Sequence, residues 1–298
     1  MSTAVALDHV AVVARDLPPL TAAYERLGFA LSPLSRQSGP LRPGGPVETF
    51  GSGNRCAFLR HGYIELLGLL DPALHANGVD GFTARYGGLH IVALAMQDEE
   101  ANLTRLRGAG VPIPGVSRLQ RAVEPGGSVA HFARLPLPDA PEGRLQLIRH
   151  LSAELVWDAR WMDHANAADA LTEVILVNDP AAESAARFSR LAGLPLVPDP
   201  AGGFLLELPG AAGAAGPDAP VLRTAVRILE PATLPRVLPG VAIPALPFIA
   251  GMVVRTADGN AAIRAILARE GIAAVDVPGG LMVPPDGAGG AAIIFAAS

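Results

Sequence analysis

The chain has no means of forming an internal disulfide, because its 298 residues include a single cysteine, Cys56. Charge is scarce as well: charged residues make up 17%, with 23 Lys plus Arg against 28 Asp plus Glu, for a net charge of -5. No long basic run is present to neutralise phosphates, which argues against nucleic acid as a partner. No apolar run approaches the roughly 20 uninterrupted residues that a bilayer span needs, since Gly, Pro or a charge breaks each one. The opening Met1-Ser2-Thr3-Ala4-Val5 shows no basic region followed by an apolar one, so a reducing cytoplasm is the expected setting, with no membrane partner. Lysine is missing, and the abundance of Arg, Ala, Gly and Pro points to a GC-rich genome more than to an activity. The Gly-rich stretches at 210–216 and 286–290 lack a following Lys-Ser or Lys-Thr, so they are not phosphate loops. Cys56 has no nucleophile signature around it, and no serine elbow occurs.

Half of the residues are apolar, enough to bury large cores in two domains of ordinary size. They are organised by one short unit, plainest in Leu7-Asp8-His9-Val10-Ala11-Val12-Val13-Ala14-Arg15-Asp16: a strand, an aspartate cap, an amphipathic helix and a glycine stop at Gly28. The unit recurs at Leu89-His90-Ile91 with Asp98 and Gly110, at Leu171-Thr172-Glu173 with Asp179 and Gly193, and at Gly251-Met252-Val253 with Asp258 and Gly271. The caps at 16, 98, 179 and 258 stand 82, 81 and 79 residues apart, so the chain reads as four copies of one supersecondary module. After the first helix a weak strand is expected around Phe29–Leu34 and a mobile loop near Ser38–Gly45. A hairpin follows over Arg55–Arg60 and Tyr63–Leu67. The other modules end in strands at 129–134 and 144–149, at 204–208 and 224–229, and at 280–283 and 292–295, with a Gly-Ala loop at 210–216. The fold class is therefore α+β, with tandem βαβββ modules paired into two domains, 1–150 and 167–298. Residues 151–166, which hold both tryptophans, form a linker packed on a domain interface.

Side chains alternate faces along a strand. His9 is thus expected beside Ala11 and Val13, His90 beside Val92 and Leu94, and Asp8 on the face away from His9. One such histidine reads as a core residue, but two at matching places of equivalent modules point to a shared site. Glu65, in Tyr-Ile-Glu-Leu-Leu, and Gln146, in Arg-Leu-Gln-Leu-Ile, are polar positions on otherwise buried strands, where a carboxylate needs a cation or donors. Two histidines and a carboxylate, with a glutamine carbonyl as a fourth ligand, are a donor set for a divalent ion. The stretch Gly51-Ser52-Gly53-Asn54-Arg55 reads as a turn or as a substrate anchor through Asn54 and Arg55. His131 is a further candidate beside the site. Trp157, Trp161, His164 and Asn166 read as linker packing before pocket wall.

These residues carry a specific resemblance. A tandem βαβββ module with a His on each first strand and a Glu or Gln on each last strand resembles the vicinal oxygen chelate superfamily, and Leu-Asp-His-Val with Tyr-Ile-Glu-Leu-Leu is similar to its glyoxalase-like proteins. The resemblance covers residues 5–150 in motif and the rest as fold only, since Glu173 and Gly251 or Ala250 stand where histidines would be. It implies paired modules forming curved sheets around a divalent metal (Zn, Ni, Mn or Fe), with His9, Glu65, His90 and Gln146 at the four ligand places and Glu65 also the catalytic proton shuttle. It further implies lyase or isomerase chemistry on a small carbonyl or vicinal-oxygen substrate, in a chain expected to form a homodimer. Two alternatives come with it: a metal-free protein that sequesters a drug-like molecule, as bleomycin-resistance proteins do, and an extradiol-type dioxygenase. Gln146, where dioxygenases carry their carboxylate, weighs against the latter.

Overall fold

The computed structural model describes residues 2–41, 46–122, 127–212, 215–218 and 220–297. The tips of the expected loops at 38–45 and 210–216, namely 42–45 and 213–214, lie outside the described residues. The first module comprises β1 (Ala6–Asp16), α1 (Leu17–Arg26), β2 (Ser35–Pro40), β3 (Val47–Phe58) and β4 (Tyr63–Leu69). A short helix, α2 (Val79–Thr83), leads to β5 (Gly88–Ala95), α3 (Glu99–Gly108), β6 (Ser117–Ala122), β7 (Val129–Leu137) and β8 (Arg144–His150). Two 3-10 turns, Ala153–Leu155 and Ala159–Trp161, precede the third module of β9 (Ala168–Val177), α4 (Ala181–Ala192), β10 (Val197–Pro198), β11 (Phe204–Leu208) and β12 (Thr224–Leu229). The turn helix α5 (Leu234–Val237) joins it to β13 (Phe248–Thr256), α6 (Ala261–Glu270), β14 (Val275–Val277), β15 (Gly280–Val283) and β16 (Ala292–Ala297). All four copies are thus βαβββ.

Within each module the first and last strands pair in parallel, and the first strands of neighbouring modules pair antiparallel, β1 with β5 and β9 with β13. The first half therefore reads β2-β3-β4-β1-β5-β8-β7-β6 across the sheet and the second repeats that order, with bridges from Ile249 to Leu89 and from His61 to Ala170 joining them. The helices of both halves meet on one side. Tyr24 of α1, Leu106 of α3, Phe188 of α4 and Ile263 of α6 belong to a single buried core with Val10, Ile64, Val92, Leu176, Val254 and Ile293 from the strands. Helix ends are tied across it: Arg105 of α3 donates to the carbonyls of Arg190 (2.8 Å) and Leu191 (2.6 Å), and Arg26 of α1 donates to that of Glu270 (2.9 Å). These guanidiniums satisfy helix C-terminal carbonyls that lack partners of their own.

The other face of the first sheet curls inward. Cys56, Phe58 and Tyr63 on β3 and β4 share a cluster with Ala130 and Phe132 on β7, at the opposite arm. That cleft carries His9, Asn54, Glu65 and Gln146 of the candidate residues.

Two local expectations are corrected and one is met. The segment at 29–34 is not a strand: Phe29 and Leu31 are buried in irregular backbone, and the Leu31 and Ser32 carbonyls accept from the Arg55 guanidinium (3.3 and 2.9 Å) rather than from a ladder. Of the four aspartate caps, only Asp98 caps in the ordinary way, accepting from the Ala101 amide (2.9 Å). Pro180 stands at the N-cap position of α4 and Asn260 at that of α6, neither with a side-chain cap bond, while Asp258 accepts from the Ala262 amide (2.7 Å). The glycine stops Gly193 and Gly271 do end their helices, at φ of 73° and 65°, where a Cβ would strain the backbone.

Because the core crosses from half to half, urea unfolding followed by tryptophan fluorescence and by far-UV circular dichroism is expected to give coincident single transitions. Phe188→Ala should shift both together by about 3–5 kcal/mol, and residues 1–150 alone should not fold. Separate transitions would show that the halves fold independently.

Candidate functional site

Register decides which residues face the cleft, and two β-bulges in the β1–β5 ladder set that register. Leu7 pairs with Leu94 and His9 with Ala93, leaving Asp8 as an extra residue; Ala11 pairs with Ile91 and Val12 with Leu89, leaving His90 as another. A bulge rotates its strand locally and re-aims side chains. Asp8 therefore does not point away from His9, as strict alternation requires. Nδ1 of His9 donates to Oδ1 of Asp8 at 2.6 Å, and Nε2 of His150 donates to the same oxygen at 3.2 Å. Asp8 is fully buried; burial alone pushes its carboxyl up, but His150 and His9 outweigh that and hold it at about 2. The carboxylate thus stays ionised at neutral pH and fixes the His9 tautomer, leaving Nε2 as the lone-pair nitrogen. The His9 ring stacks on Tyr63 with centroids 4.4 Å apart.

Next along β4, Glu65 pairs with Ala11 on the same face as His9. Asn54 of β3 donates its side-chain amide to Glu65 in a short bond. Gln146 of β8 pairs with Ala93, itself opposite His9, so it faces the same cleft. The structure thereby brings His9, Glu65, Asn54 and Gln146 to one surface. It does not bring His90 with them. That ring belongs with neither Val92 nor Leu94, which lie in the helix-side core. Instead it is sandwiched by Phe82 and Tyr86 (5.1 and 4.1 Å), and Nε2 donates to the Tyr86 carbonyl at 2.8 Å. Burial lowers its pKa to about 4, so it stays neutral. His90 Nδ1 is buried without a partner, which is a lone pair a metal would suit. The expected four-ligand set nevertheless fails to assemble: among the described residues no group of three or more His, Cys, Asp or Glu is arranged to hold a metal ion. The residues present do not fit the expected ion.

Two anchors move elsewhere. Arg55 turns to the helix side, where it also pairs with Glu25 at 2.6 Å. His131 is exposed on the face of β7 opposite Phe132 and Arg134. The linker residues pack as expected: His164 accepts from the Ala30 amide (3.0 Å) and donates to the Phe58 carbonyl (2.9 Å), Asn166 donates to the Leu27 carbonyl (2.8 Å), and Trp157 donates to that of Leu59 (3.1 Å). Trp157 also walls one end of the cleft, 4.7 Å from His150 and 5.7 Å from Tyr63 between ring centroids.

Sequence reasoning put Asp8 on the wrong face and passed over His150, Arg134 and Arg144. Arg144 and Gln146 stand two apart on β8, a spacing that does place them on one face, and Arg134 lies in a recognised strand. No sequence signal marks a bulge at Asp8.

In the second half the ladder bulges recur at Thr172 and Ala250. Glu173 then takes the place of His9, and Ala250 that of His90. Arg227, paired with Ile175 as Glu65 is with Ala11, stands in the place of Glu65. Arg227 donates to Glu173 (2.6 Å) and to Asp199 (2.7 Å). The equivalent positions are thus engaged in their own ion pairs, with Thr172 and Glu173 lining a cavity of about 230 Å³.

A model of the glyoxalase-like domain family matches residues 7–192. The chain belongs to the glyoxalase-like domain family. No curated protein matches this member in sequence. Among solved structures, its fold is similar to that of a hypothetical protein from Staphylococcus aureus, with 12% identity over 99% of this chain and 100% of the other and a TM-score of 0.60. The Mn(II)-bound glyoxalase from Novosphingobium aromaticivorans matches at 13% identity over 100% and 83%, with a TM-score of 0.54. A catechol 2,3-dioxygenase matches at 12% over 99% and 88%, with a TM-score of 0.50. At these identities the likeness is one of fold, that of the vicinal oxygen chelate superfamily.

Burial lowers the pKa of His90, and likewise of His61 and His164, so the folded state binds fewer protons there than the unfolded chain. Their contribution to stability is complete above about pH 6.5 and is lost as pH falls below it, that of His90 as pH falls through about 4. That of Asp8 is present above 3.8 and lost only as pH falls through about 2. Melting temperature should therefore fall between pH 6.5 and 4, and less steeply in His90→Phe. An unchanged slope in that variant would contradict the assigned burial.

Proposed function

We propose that the cleft of the first half binds a small carbonyl-bearing molecule and moves a proton next to that carbonyl, which is lyase- or isomerase-type chemistry. The reading rests on one observation, the 2.6 Å bond from His9 to a buried, ionised Asp8 within the face that carries Glu65. A histidine held in one tautomer by a carboxylate presents Nε2 as a base, and Glu65, oriented by Asn54, is placed to accept or return the proton. The aromatic wall of Tyr63, Phe58, Phe132 and Trp157 keeps water from one end of the site and offers a surface for the apolar part of the ligand. The residue arrangement does not carry a divalent ion held by His9, Glu65, His90 and Gln146, which the glyoxalase resemblance implies. His90 is committed to the Tyr86 carbonyl between two rings.

The experiment is deuterium exchange at the carbon next to the carbonyl in a panel of small ketones and aldehydes in D2O, followed by NMR. Exchange is expected with the full chain, reduced at least 100-fold in His9→Ala and Glu65→Gln and unaffected by EDTA. Tight retention of a panel member without exchange would make the protein a binder, as drug-sequestering superfamily members are. Elemental analysis gives a separate expectation: no stoichiometric Zn, Ni, Mn or Fe. A stoichiometric metal lost in both His9→Ala and His90→Ala would overturn the metal-free arrangement.

A further inference from the structure

The cleft holds more cationic side chains than its chemistry uses. Arg134 of β7 pairs with Ile148 and Arg144 of β8 pairs with Ile91, which puts both guanidiniums on the face of Gln146. Among the described residues, neither has a carboxylate partner in direct contact. Arg134 reaches only the Gln146 carbonyl oxygen at 3.5 Å, and its Nε is buried with no hydrogen-bond partner. Arg144 donates to the Asn77 carbonyl at a long 3.3 Å and lies over the Phe82 ring at 5.5 Å. Burial lowers the pKa of both, and the two charges act on one another, with Glu65 offsetting only Arg144. A third arginine, Arg121 of β6, pairs with Ala130 in the ladder and its charge acts on Cys56 and Tyr63. Half-buried guanidiniums that repel each other and leave a donor unpaired cost free energy unless an anion completes them. On the β3 side, Asn54 gives its amide to Glu65 and is left with a buried, unpartnered carbonyl oxygen, Oδ1, which calls for a donor such as a hydroxyl.

We propose that the ligand is a small organic carboxylate with an oxygen on the adjacent carbon and a compact apolar body, its carboxylate held by Arg134 and Arg144. The inference rests on the cleft being the functional site, and it adds the substrate class. The planar guanidinium fork suits a carboxylate, which accepts two parallel bonds. The aromatic end formed by Tyr63, Phe132 and Trp157 takes the apolar body, and the oxygen next to the carboxylate falls between Asn54 and Glu65.

The test is isothermal titration of the full chain with 3-phenyllactate and, as the uncharged control, 3-phenyllactamide. Phenyllactate is expected to bind at least tenfold more tightly than the amide and more weakly as salt is raised. Arg134→Gln and Arg144→Gln should each remove about tenfold or more, Arg144→Lys should recover part of the loss, and melting temperature is recorded for each variant as a check on folding. Equal affinity for acid and amide, no binding of either, or full affinity in both arginine variants would overturn the proposal. Tyr63→Ala separates the two levels. Equal binding of acid and amide that this variant abolishes would sink the carboxylate alone and keep the cleft, whereas binding indifferent to Tyr63 and to both arginines would sink the cleft as well.

Discussion

The central ladder of the first half, β1 against β5, is not regular, and its two irregularities govern what the cleft contains. At one end an extra residue turns the Asp8 carboxylate onto its neighbour His9; at the other an extra residue takes His90 out of alternation and seats it against Tyr86. Both bulges recur at equivalent places in the second half, at Thr172 and Ala250. They therefore belong to the module pairing itself and do not depend on histidine. The sequence occupies these fixed positions differently in each half: Asp8, His9, Glu65 and His90 in one, Thr172, Glu173, Arg227 and Ala250 in the other.

This division separates stability from chemistry. The helix-side core spans both halves, so the second half, with its Glu173–Arg227–Asp199 ion pairs, serves as the other wall of one folding unit. Charges buried in the second half neutralise one another. In the first half several buried polar atoms are left over, among them Arg134 Nε and Asn54 Oδ1 on the cleft face. Buried polar groups in folded proteins are nearly always satisfied, so the unpartnered Arg134 Nε and Asn54 Oδ1 are the atoms on this face that the proposed ligand would complete.

The architecture was legible because periodicity and end signals repeat. Strand, helix and glycine stop recur four times, and the final strands at 204–208 and 224–229 fall where the pattern puts them. The membership of the cleft was partly legible. Glu65 and Gln146 stand out as polar residues in apolar strands, and Asn54 as part of a glycine-flanked stretch. Alternation failed at Asp8 and His90 because a one-residue bulge leaves no compositional trace, and shifting one residue changes the face of a side chain. Arg55 misled for another reason: residues 51–55 are part of strand β3 and not a turn, and the Arg55 guanidinium satisfies backbone carbonyls of the irregular 29–34 segment. Arg134 and Arg144 were passed over because arginine on a strand ordinarily reads as a solvated edge, and only the curl of the sheet turns that edge inward.

Long-range 15N–1H NMR of the histidine rings in the full chain at neutral pH tests the account most directly, because it reads the two bulges through the tautomers they impose. The arrangement predicts His9 protonated on Nδ1, with a downfield proton lost in Asp8→Asn, and His90 protonated on Nε2. His9 protonated on Nε2 and insensitive to Asp8 would contradict it.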